Sequence, residues 1–152
     1  MDRHARRRFI SVLAGIAAAP LLPVRAAHAQ ADPFAALLLN LTGGAPVRSG
    51  RVTVDTPRLA DNGHSVPLKL SVDSPMTAAD HVRSITLLSE RNPRPIMATF
   101  HLGAKTGRAE VVTRVRLNGT QRVLAVAQLS DGSYWSGSAE VEVTESACLD
   151  AS

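Results

Sequence analysis

The strongest constraint on the fold of this chain is the two-residue alternation of apolar and other side chains that begins after Gly50. The clearest case is the segment 66–72, where every second position is apolar, which is the period of a β-strand with one buried face. The same reasoning predicts further strands along the rest of the chain. Taken together, the predicted strands lie at 52–54, 66–72, 82–89, 96–102, 110–117, 122–129 and 134–143.

Turn-forming residues separate these predicted strands, and the pairs Asn118-Gly119 and Asp131-Gly132 are both typical of tight β-hairpins. Short strands divided by regular turns in one small domain predict an all-β fold, an immunoglobulin-like antiparallel β-sandwich of about seven strands. The chain has 1 cysteine, so the disulfide that links the sheets of antibody domains cannot form. We therefore expect Phe100, Trp135 and aliphatic side chains to fill the core.

A short N-terminal helix is predicted at 33–41, ahead of the strands. Asp32 can cap its first turn, Pro33 suits the first helical position, and Gly43-Gly44 ends it. Leucines cover much of the surface of this helix. We therefore expect it to pack on an apolar surface, which could belong to its own sandwich or to a partner.

The first 29 residues carry the features of an export signal. The segment 6–10, with the sequence RRRFI, is a twin-arginine pattern, and the segment 27–29, AHA, is a small-x-small cleavage site. The apolar run between them is short and broken by prolines, whereas a membrane span needs roughly 20 apolar residues. A cleaved twin-arginine signal peptide is therefore favoured over a membrane anchor. The predicted division of the chain is a signal peptide at 1–29, a sandwich domain at 30–143 and a flexible C-terminal arm at 144–152.

The positive charge of the chain belongs to the predicted signal peptide. Of the 17 basic and 13 acidic residues, five arginines and one aspartate lie within 1–29, which leaves twelve of each sign in the mature protein. A balanced domain offers no electrostatic reason to bind nucleic acid or an anionic membrane. The sequence thus predicts a periplasmic protein that binds neither of them once the signal is cleaved.

The only cysteine, Cys148, lies in the predicted arm beyond the last strand. In an oxidising compartment, a thiol without a partner in its own chain calls for an explanation. It could carry a covalently bound group, form a disulfide with a second chain, or have no function. Burial in the core is disfavoured, because residues near a chain end are seldom held by the fold.

Other residues that could carry chemistry give weaker signals. Three histidines of the mature protein lie far apart in sequence, without a nearby acidic or thiol cluster: His64, His81 and His101. Neither a metal nor any other cofactor is therefore predicted. Arg114, Arg116 and Arg122 could form a basic patch that attracts an anionic client or substrate, or they could simply lie on a solvated strand face.

Several short segments occur in an order that is typical of one known family. They are LTGG at 41–44, PRLADNG at 57–63, VP at 66–67, RNPRP at 91–95, TRVRL at 113–117, Gln121 with 123–127, DG at 131–132 and VEVT at 141–144. With the twin-arginine leader and the C-terminal cysteine, this order resembles the SoxY family, the sulfur carriers of periplasmic thiosulfate oxidation. The resemblance covers nearly the whole mature chain.

The resemblance implies an immunoglobulin-like sandwich that acts as a covalent carrier subunit and not as an enzyme. It implies that Cys148 is the covalent attachment point for thiosulfate-derived intermediates, which a haem enzyme adds and other sulfur-oxidising periplasmic enzymes process. It also implies a heterodimer with a SoxZ-like partner that lacks its own signal. Since twin-arginine export carries folded proteins, such a partner could be exported together with this chain.

The cysteine tail departs from the pattern of the family. There the cysteine is flanked by glycines, as Gly-Gly-Cys-Gly-Gly, whereas here Ala147 and Leu149 flank it and no glycine is present from 144 to 152. Glycine gives the backbone conformational freedom that alanine and leucine lack. The glycine-free tail is the feature that favours an alternative function, an exported immunoglobulin-like binding or assembly module without carrier activity.

Overall fold

Residues 32–146 form nine strands and one α-helix in the computed structural model, which describes this part of the chain. The predicted signal peptide and Cys148 lie outside the described residues. The elements are α1 Ala35–Thr42, β1 Val47–Ser49, β2 Val52–Asp55, β3 Leu59–Asn62, β4 Val66–Val72, β5 Val82–Ser89, β6 Ile96–His101, β7 Glu110–Val115, β8 Gln121–Leu129 and β9 Tyr134–Glu145. Within this part of the chain, no helix is long and apolar enough to cross a membrane.

The strands form two sheets that face each other. The large sheet has the order β1-β9-β8-β5-β6, with β3 paired to the C-terminal end of β9, and the small sheet has the order β2-β4-β7. The short strands β1 and β3 run parallel to β9, and the other pairings are antiparallel. The predicted all-β sandwich is therefore confirmed.

The main core lies between the two sheets and is built from aliphatic side chains. Ile85 and Leu87 of β5 pack with Leu68 and Leu70 of β4, and all four are fully buried. Complete burial of one such side chain stabilises the fold by about 1.5–3 kcal/mol. The alternation predicted for 66–72 is thus the inner face of the small sheet, as the burial of every second residue of β4 confirms.

The second apolar cluster lies on the outer face of the large sheet, where α1 packs. Phe34 is only 1% exposed there, and it contacts Leu88, Leu124 and Val126. The helix therefore packs on its own sandwich, which decides between the two surfaces that the sequence left open. It begins at Ala35 and not at Pro33, since Phe34 is the N-cap residue, and Gly43 ends it in the left-handed conformation as predicted.

The aromatic residues are arranged differently from the prediction. Phe100 and Trp135 are only partly buried and pack against the main core, while among residues 32–146 the fully buried aromatic side chain is Phe34. The guanidinium groups of Arg48 and Arg51 lie 5.6 and 5.5 Å from the centre of the Trp135 ring, within the range of cation–π attraction. The predicted aliphatic core is therefore confirmed, whereas Phe100 and Trp135 pack against it without being buried inside it.

One of the two predicted hairpins is wrong. The pair Asp131-Gly132 does join the antiparallel strands β8 and β9, and Ser133 donates to the Asp131 carboxylate at 2.7 Å, which lowers the pKa of that group. The pair Asn118-Gly119 instead carries the chain from β7 in the small sheet to β8 in the large sheet. A tight turn can serve either purpose, because its local geometry does not decide which strands pair.

Two strands, β1 and β3, have no counterpart in the predicted set. Asp61 and Asn62 of β3 predict a turn, yet they lie in a strand because β3 pairs in parallel with the end of β9. Similarly, Val47–Ser49 pairs with the start of β9. Both strands are too short to show an alternation, and each depends on a partner more than 70 residues away in the sequence, as the paired positions show.

We expect Gly137→Ala to destabilise the sandwich, because the new Cβ atom would lie 2.0 Å from the carbonyl oxygen of Val52 in the opposite sheet. Overpacking of this kind typically costs about 1–3 kcal/mol, occasionally more, so a loss of at least about 2 kcal/mol is expected. The free energy of unfolding by urea is the measurement. Gly103→Ala is the matched control, since its Cβ atom meets nothing within 4 Å and its φ is −151°. Equal losses in the two variants would contradict this account of the contact.

Candidate functional site at the base of the C-terminal arm

The last strand carries the chain toward Cys148. The sequence predicts that this strand ends at 143, but β9 continues to Glu145 and so includes Thr144 and Glu145, the first two residues of the predicted arm. Ser146 is the last residue that the structure describes, two positions before Cys148. The end of β9 and Ser146 therefore form the base of the thiol-bearing segment, which we call the arm base.

Hydrogen bonds from two sides fix the end of β9. The amide of Gly63 donates to the carbonyl of Glu145 at 2.7 Å, and the Thr144 hydroxyl donates to the carbonyl of Asp61. On the β8 side, the amide of Val143 donates to Oγ1 of Thr120 at 2.9 Å. Parallel pairing with β3 therefore holds the chain as far as Glu145, three positions before Cys148.

Asn118 connects the arm base to two loops. Its Oδ1 accepts a hydrogen bond from the Ser146 hydroxyl at 2.5 Å, and its Nδ2 donates to the carbonyl of Arg91 at 3.4 Å. Its amide donates to Oδ1 of Asn92 at 2.9 Å. The residue predicted to form a hairpin thus forms a junction between the arm, the β5–β6 loop and the β7–β8 turn.

A buried polar network supports this junction. Gln121 is only 4% exposed, and its Oε1 accepts from the Ser89 hydroxyl and from the amide of Arg91. Its Nε2 donates to Oδ1 of Asn92 at 3.1 Å and to the carbonyl of Gly119 at 3.2 Å. A buried polar group left without a partner costs about 1–3 kcal/mol. Because Gln121 uses both ends of its amide, the two loops are held in one arrangement.

The roles of these residues are not evident from the sequence. Asn92 and Gln121 belong to the segments that carry the family resemblance, but nothing in their local pattern predicts a shared network. One signal was available: Gln121 stands at the start of the apolar strand β8, where a long polar side chain needs a buried partner. Most of the partners lie about 30 residues away, at the end of β5 and in the β5–β6 loop.

The three histidines are dispersed over the domain. His64 lies in the turn between β3 and β4, His81 lies just before β5, and His101 ends β6. The Nδ1 atom of His81 lies 3.1 Å from the carbonyl oxygen of Thr77. Among residues 32–146, no three side chains of the types His, Cys, Asp and Glu come together in a way that could hold a metal ion.

The structure separates the three arginines that the sequence groups together. Arg122 lies on the helix side of the large sheet, where it pairs with Asp32 at 2.5 Å and covers the ring of Phe34 at 4.8 Å. Arg114 and Arg116 lie on another surface, beside a cavity of about 390 Å³ that Arg94 also lines. Of the two alternatives that the sequence left open, one patch of all three arginines is excluded, and the arginine that joins the other two comes from the β5–β6 loop.

A second cavity, of about 690 Å³, lies along the C-terminal half of β9. Thr120 and Gln121 line it, so it adjoins the support of the arm base. Charges of both signs face it, with arginines opposed by glutamates: Arg58, Arg122, Glu90, Glu140 and Glu142. This mixture gives the cavity no strong preference for an anion or a cation, in contrast to the smaller cavity beside Arg94.

Comparisons of the fold find a sulfur carrier and several superoxide reductases. The sulfur carrier protein SoxY from Chlorobium limicola f thiosulfatophilum matches with a TM-score of 0.61 and 24% identity, over 72% of this chain and 94% of that one. The superoxide reductase (neelaredoxin) from Ignicoccus hospitalis matches with a TM-score of 0.57 and 15% identity, over 64% and 94% of the two chains. The superoxide reductase from Nanoarchaeum equitans has a TM-score of 0.54 and 12% identity, over 63% and 100%. These identities show a shared fold.

Sequence comparison identifies the family. No curated protein sequence matches the chain. The profile of the family described as "Sulfur oxidation protein SoxY" matches residues 39–148, which is most of the chain and extends to the cysteine. The SoxY resemblance of the ordered segments is therefore confirmed, and the chain belongs to the SoxY family of sulfur-oxidation carrier proteins.

Proposed function

We propose that this protein is a periplasmic sulfur carrier that holds thiosulfate-derived intermediates covalently on Cys148 and presents them to sulfur-oxidising enzymes. The observation that carries the proposal is that the family match ends at residue 148, so that it includes the cysteine. In this role the protein is the substrate of its partner enzymes and does not itself catalyse a reaction. The electron acceptor and the catalytic groups belong to those enzymes.

The chemistry of loading needs only the thiol and an external electron acceptor. The thiol and thiosulfate give Cys–S–S–SO₃⁻, a proton and two electrons, which the oxidising enzyme accepts. Water then attacks the terminal sulfonate sulfur, which releases sulfate and a proton and leaves a persulfide, Cys–S–SH. Sulfur–sulfur bonds suit a carrier, because they survive transit and yet exchange with an attacking thiolate.

The arm base supports this role by its rigidity. Ser146 is bonded to Asn118, and β9 is paired up to Glu145, so the scaffold is defined to within two residues of the thiol. Two extended residues span about 7 Å, and the whole segment from 147 to 152 spans about 20 Å. A short tether on a fixed base lets an enzyme take up the thiol while the sandwich remains outside its active site.

A second candidate function rests on the tail sequence. Ala147 and Leu149 replace the glycines that flank the family's cysteine, and they restrict the backbone in a narrow channel. An enzyme that accepts only a glycine-flanked cysteine would reject this tail. The protein would then be an exported immunoglobulin-like binding or assembly module, and the thiol would be dispensable.

We also propose that the protein is exported by the twin-arginine route as a heterodimer with a SoxZ-like partner. The twin-arginine pattern at 6–10 supports transport of a folded protein to the periplasm, and the SoxY family supports a sulfur-oxidation system with several components. A SoxZ-like partner without its own signal would assemble with this chain in the cytoplasm. The heterodimer would then be exported as one unit.

Adduct formation on Cys148 tests the carrier function. We expect the intact mass of the protein to increase by one S₂O₃ unit after incubation with thiosulfate and the oxidising partner enzymes, because the thiol loses its hydrogen and the neutral mass counts the sulfonate as its acid. Added reductant should reverse the increase, because the bond is between two sulfur atoms. Cys148→Ser is the matched control and should show no increase, since an alcohol forms no such bond.

The same variant separates the two candidate functions. If the carrier function is correct, Cys148→Ser abolishes thiosulfate-dependent growth. If the protein is a binding module, growth and complex formation are unchanged, and the mass of the wild-type protein stays constant in the presence of the enzymes. That combination of results would overturn the proposed carrier role.

Export of the partner is the test of pairing. Replacing Arg6 and Arg7 by lysine should block the twin-arginine route, and we expect the SoxZ-like partner to remain in the cytoplasm together with this chain. Immunoblots of periplasmic and cytoplasmic fractions give the measurement. The control replaces Arg3, outside the RRRFI motif, by lysine and should leave both proteins in the periplasm. A partner that reaches the periplasm without this chain contradicts co-export.

A further inference from the structure

The smaller cavity lies where the two sheets of the sandwich do not close on each other. Among the strands of residues 32–146, β6 pairs only with β5 at the end of the large sheet, and β7 pairs only with β4 at the end of the small sheet. The groove of about 390 Å³ is lined by side chains of both strands and of the loop before β6. We call this cavity the β6–β7 groove.

The β6–β7 groove has a strongly positive lining. Arg94, Arg114 and Arg116 line it, and none of its lining residues is acidic. Within residues 32–146, none of these three guanidinium groups takes part in an ion pair. The three arginines of the described part that do pair with a carboxylate or cover an aromatic ring lie elsewhere: Arg48, Arg51 and Arg122.

Apolar side chains complete the groove and strengthen its charge. Phe100 and Met97 are partly buried at the edge of the main core, while Ile96 is 50% exposed at the groove. Apolar walls exclude water and reduce the local screening, so a charge beside them acts more strongly than it does in bulk solvent. A guanidinium group also donates parallel hydrogen bonds that suit the oxygens of an oxyanion.

The groove adjoins the base of the arm. Asn92 lines it, and Nδ2 of Asn92 donates to the carbonyl of Arg116 at 2.8 Å. Oδ1 of Asn92 accepts from the amide of Asn118, whose own Oδ1 accepts from Ser146. A single residue, Asn118, thus bonds both to the groove lining and to the last described residue before the thiol-bearing segment.

We infer that the β6–β7 groove binds sulfur oxyanions through Arg94, Arg114 and Arg116. The shared chemistry is a small, multiply oxygenated sulfur group, which has two sources: free thiosulfate or sulfate, and the terminal sulfonate of Cys148–S–S–SO₃⁻. The second source rests on the proposed carrier function, and the first does not. Binding at the groove would keep the anionic end of a cargo beside the scaffold between visits to partner enzymes.

A protein segment is the competing occupant, since the free edges of β6 and β7 could also accept a strand. The lining of the groove favours the small anion. An added strand is held mainly by backbone hydrogen bonds and needs no guanidinium groups, whereas three arginines without an acidic neighbour in the lining suit an oxyanion. Occupation by a partner strand is therefore treated as an outcome that would overturn the inference.

The first experiment tests binding of free anions with the variant Cys148→Ser, which cannot form an adduct. We expect thiosulfate or sulfate to shift backbone amide NMR signals of 94–100 and 113–116, with a saturable dependence on concentration. Arg94→Gln with Arg116→Gln should weaken the affinity at least about tenfold, the usual scale for charge-assisted hydrogen bonds. Arg108→Gln is the matched control, because Arg108 lies exposed before β7 and outside the groove lining.

The second experiment tests binding of the adduct with wild-type protein that has been loaded with tetrathionate. The Cys148 thiolate attacks a central sulfur of tetrathionate, forms Cys148–S–S–SO₃⁻ and releases thiosulfate, which gel filtration removes. We expect the same groove signals to shift in this sample and to return toward their unloaded positions in the double arginine variant. High salt should reduce the shift, because mobile ions screen exposed charges.

The two experiments distinguish the sources of the anion. Shifts in the first experiment alone indicate that free anions bind, shifts in the second alone indicate that the adduct binds, and either result supports the groove site. Absence of groove shifts in both experiments overturns the inference, as do equal shifts in the arginine variants and the wild type. If the arginine variants instead lose only the binding of a SoxZ-like partner, the groove is a protein interface and the inference is wrong.

Failure of the groove and failure of the carrier function can be told apart. Tetrathionate loading depends only on the thiol, whereas carrier function is measured by loading from thiosulfate with the partner enzymes. Enzymatic loading without groove shifts would leave the carrier function standing and remove the groove site. Binding of free anions without enzymatic loading would support the groove site and contradict the carrier function. Amide signal dispersion of each variant verifies that it is folded.

Discussion

The pairing of β9 along its whole length is the interaction on which the rest of the structure depends. This strand joins β8 by antiparallel pairing, and short parallel strands join its two ends, β1 at 134–136 and β3 at 142–145. It also passes so close to the small sheet that Gly137 leaves no room for a Cβ atom opposite Val52. The strand that carries the arm is therefore among the most firmly held elements, and its end is a fixed starting point for the thiol-bearing segment.

The layers of the described domain part on the side between β6 and β7. The large sheet is covered on one face by the small sheet and on the other by α1, which buries Phe34. No element of residues 32–146 covers the side between β6 and β7 in this way, and its lining combines the three arginines with the exposed side chain of Ile96. Apolar side chains thus fill the space between the sheets and under α1, while the three arginines lie where the sheets part.

The fold by itself does not decide the chemistry. The similarity to superoxide reductases shows that one sandwich architecture serves proteins with different functions. In the described part of this chain, a hydrogen-bond network of Gln121, Asn92 and Asn118 connects two loops to the end of β9. This arrangement supports the proposal that the domain presents a reactive group whose activation belongs to other proteins.

The sequence by itself determined the sandwich class, the position of most strands, the C-terminal end of α1 and the family. These properties follow from local signals: the alternation in 66–72, turn residues such as Asp131-Gly132, the left-handed Gly43 and an ordered set of short motifs. Only the tertiary structure decided that β1 and β3 exist, that Asn118-Gly119 crosses between sheets, and that Arg94 joins Arg114 and Arg116 while Arg122 does not. The physical reason is that pairing partners, buried amide networks and charge clusters arise from residues distant in the chain. No local period or propensity records which of those residues will meet.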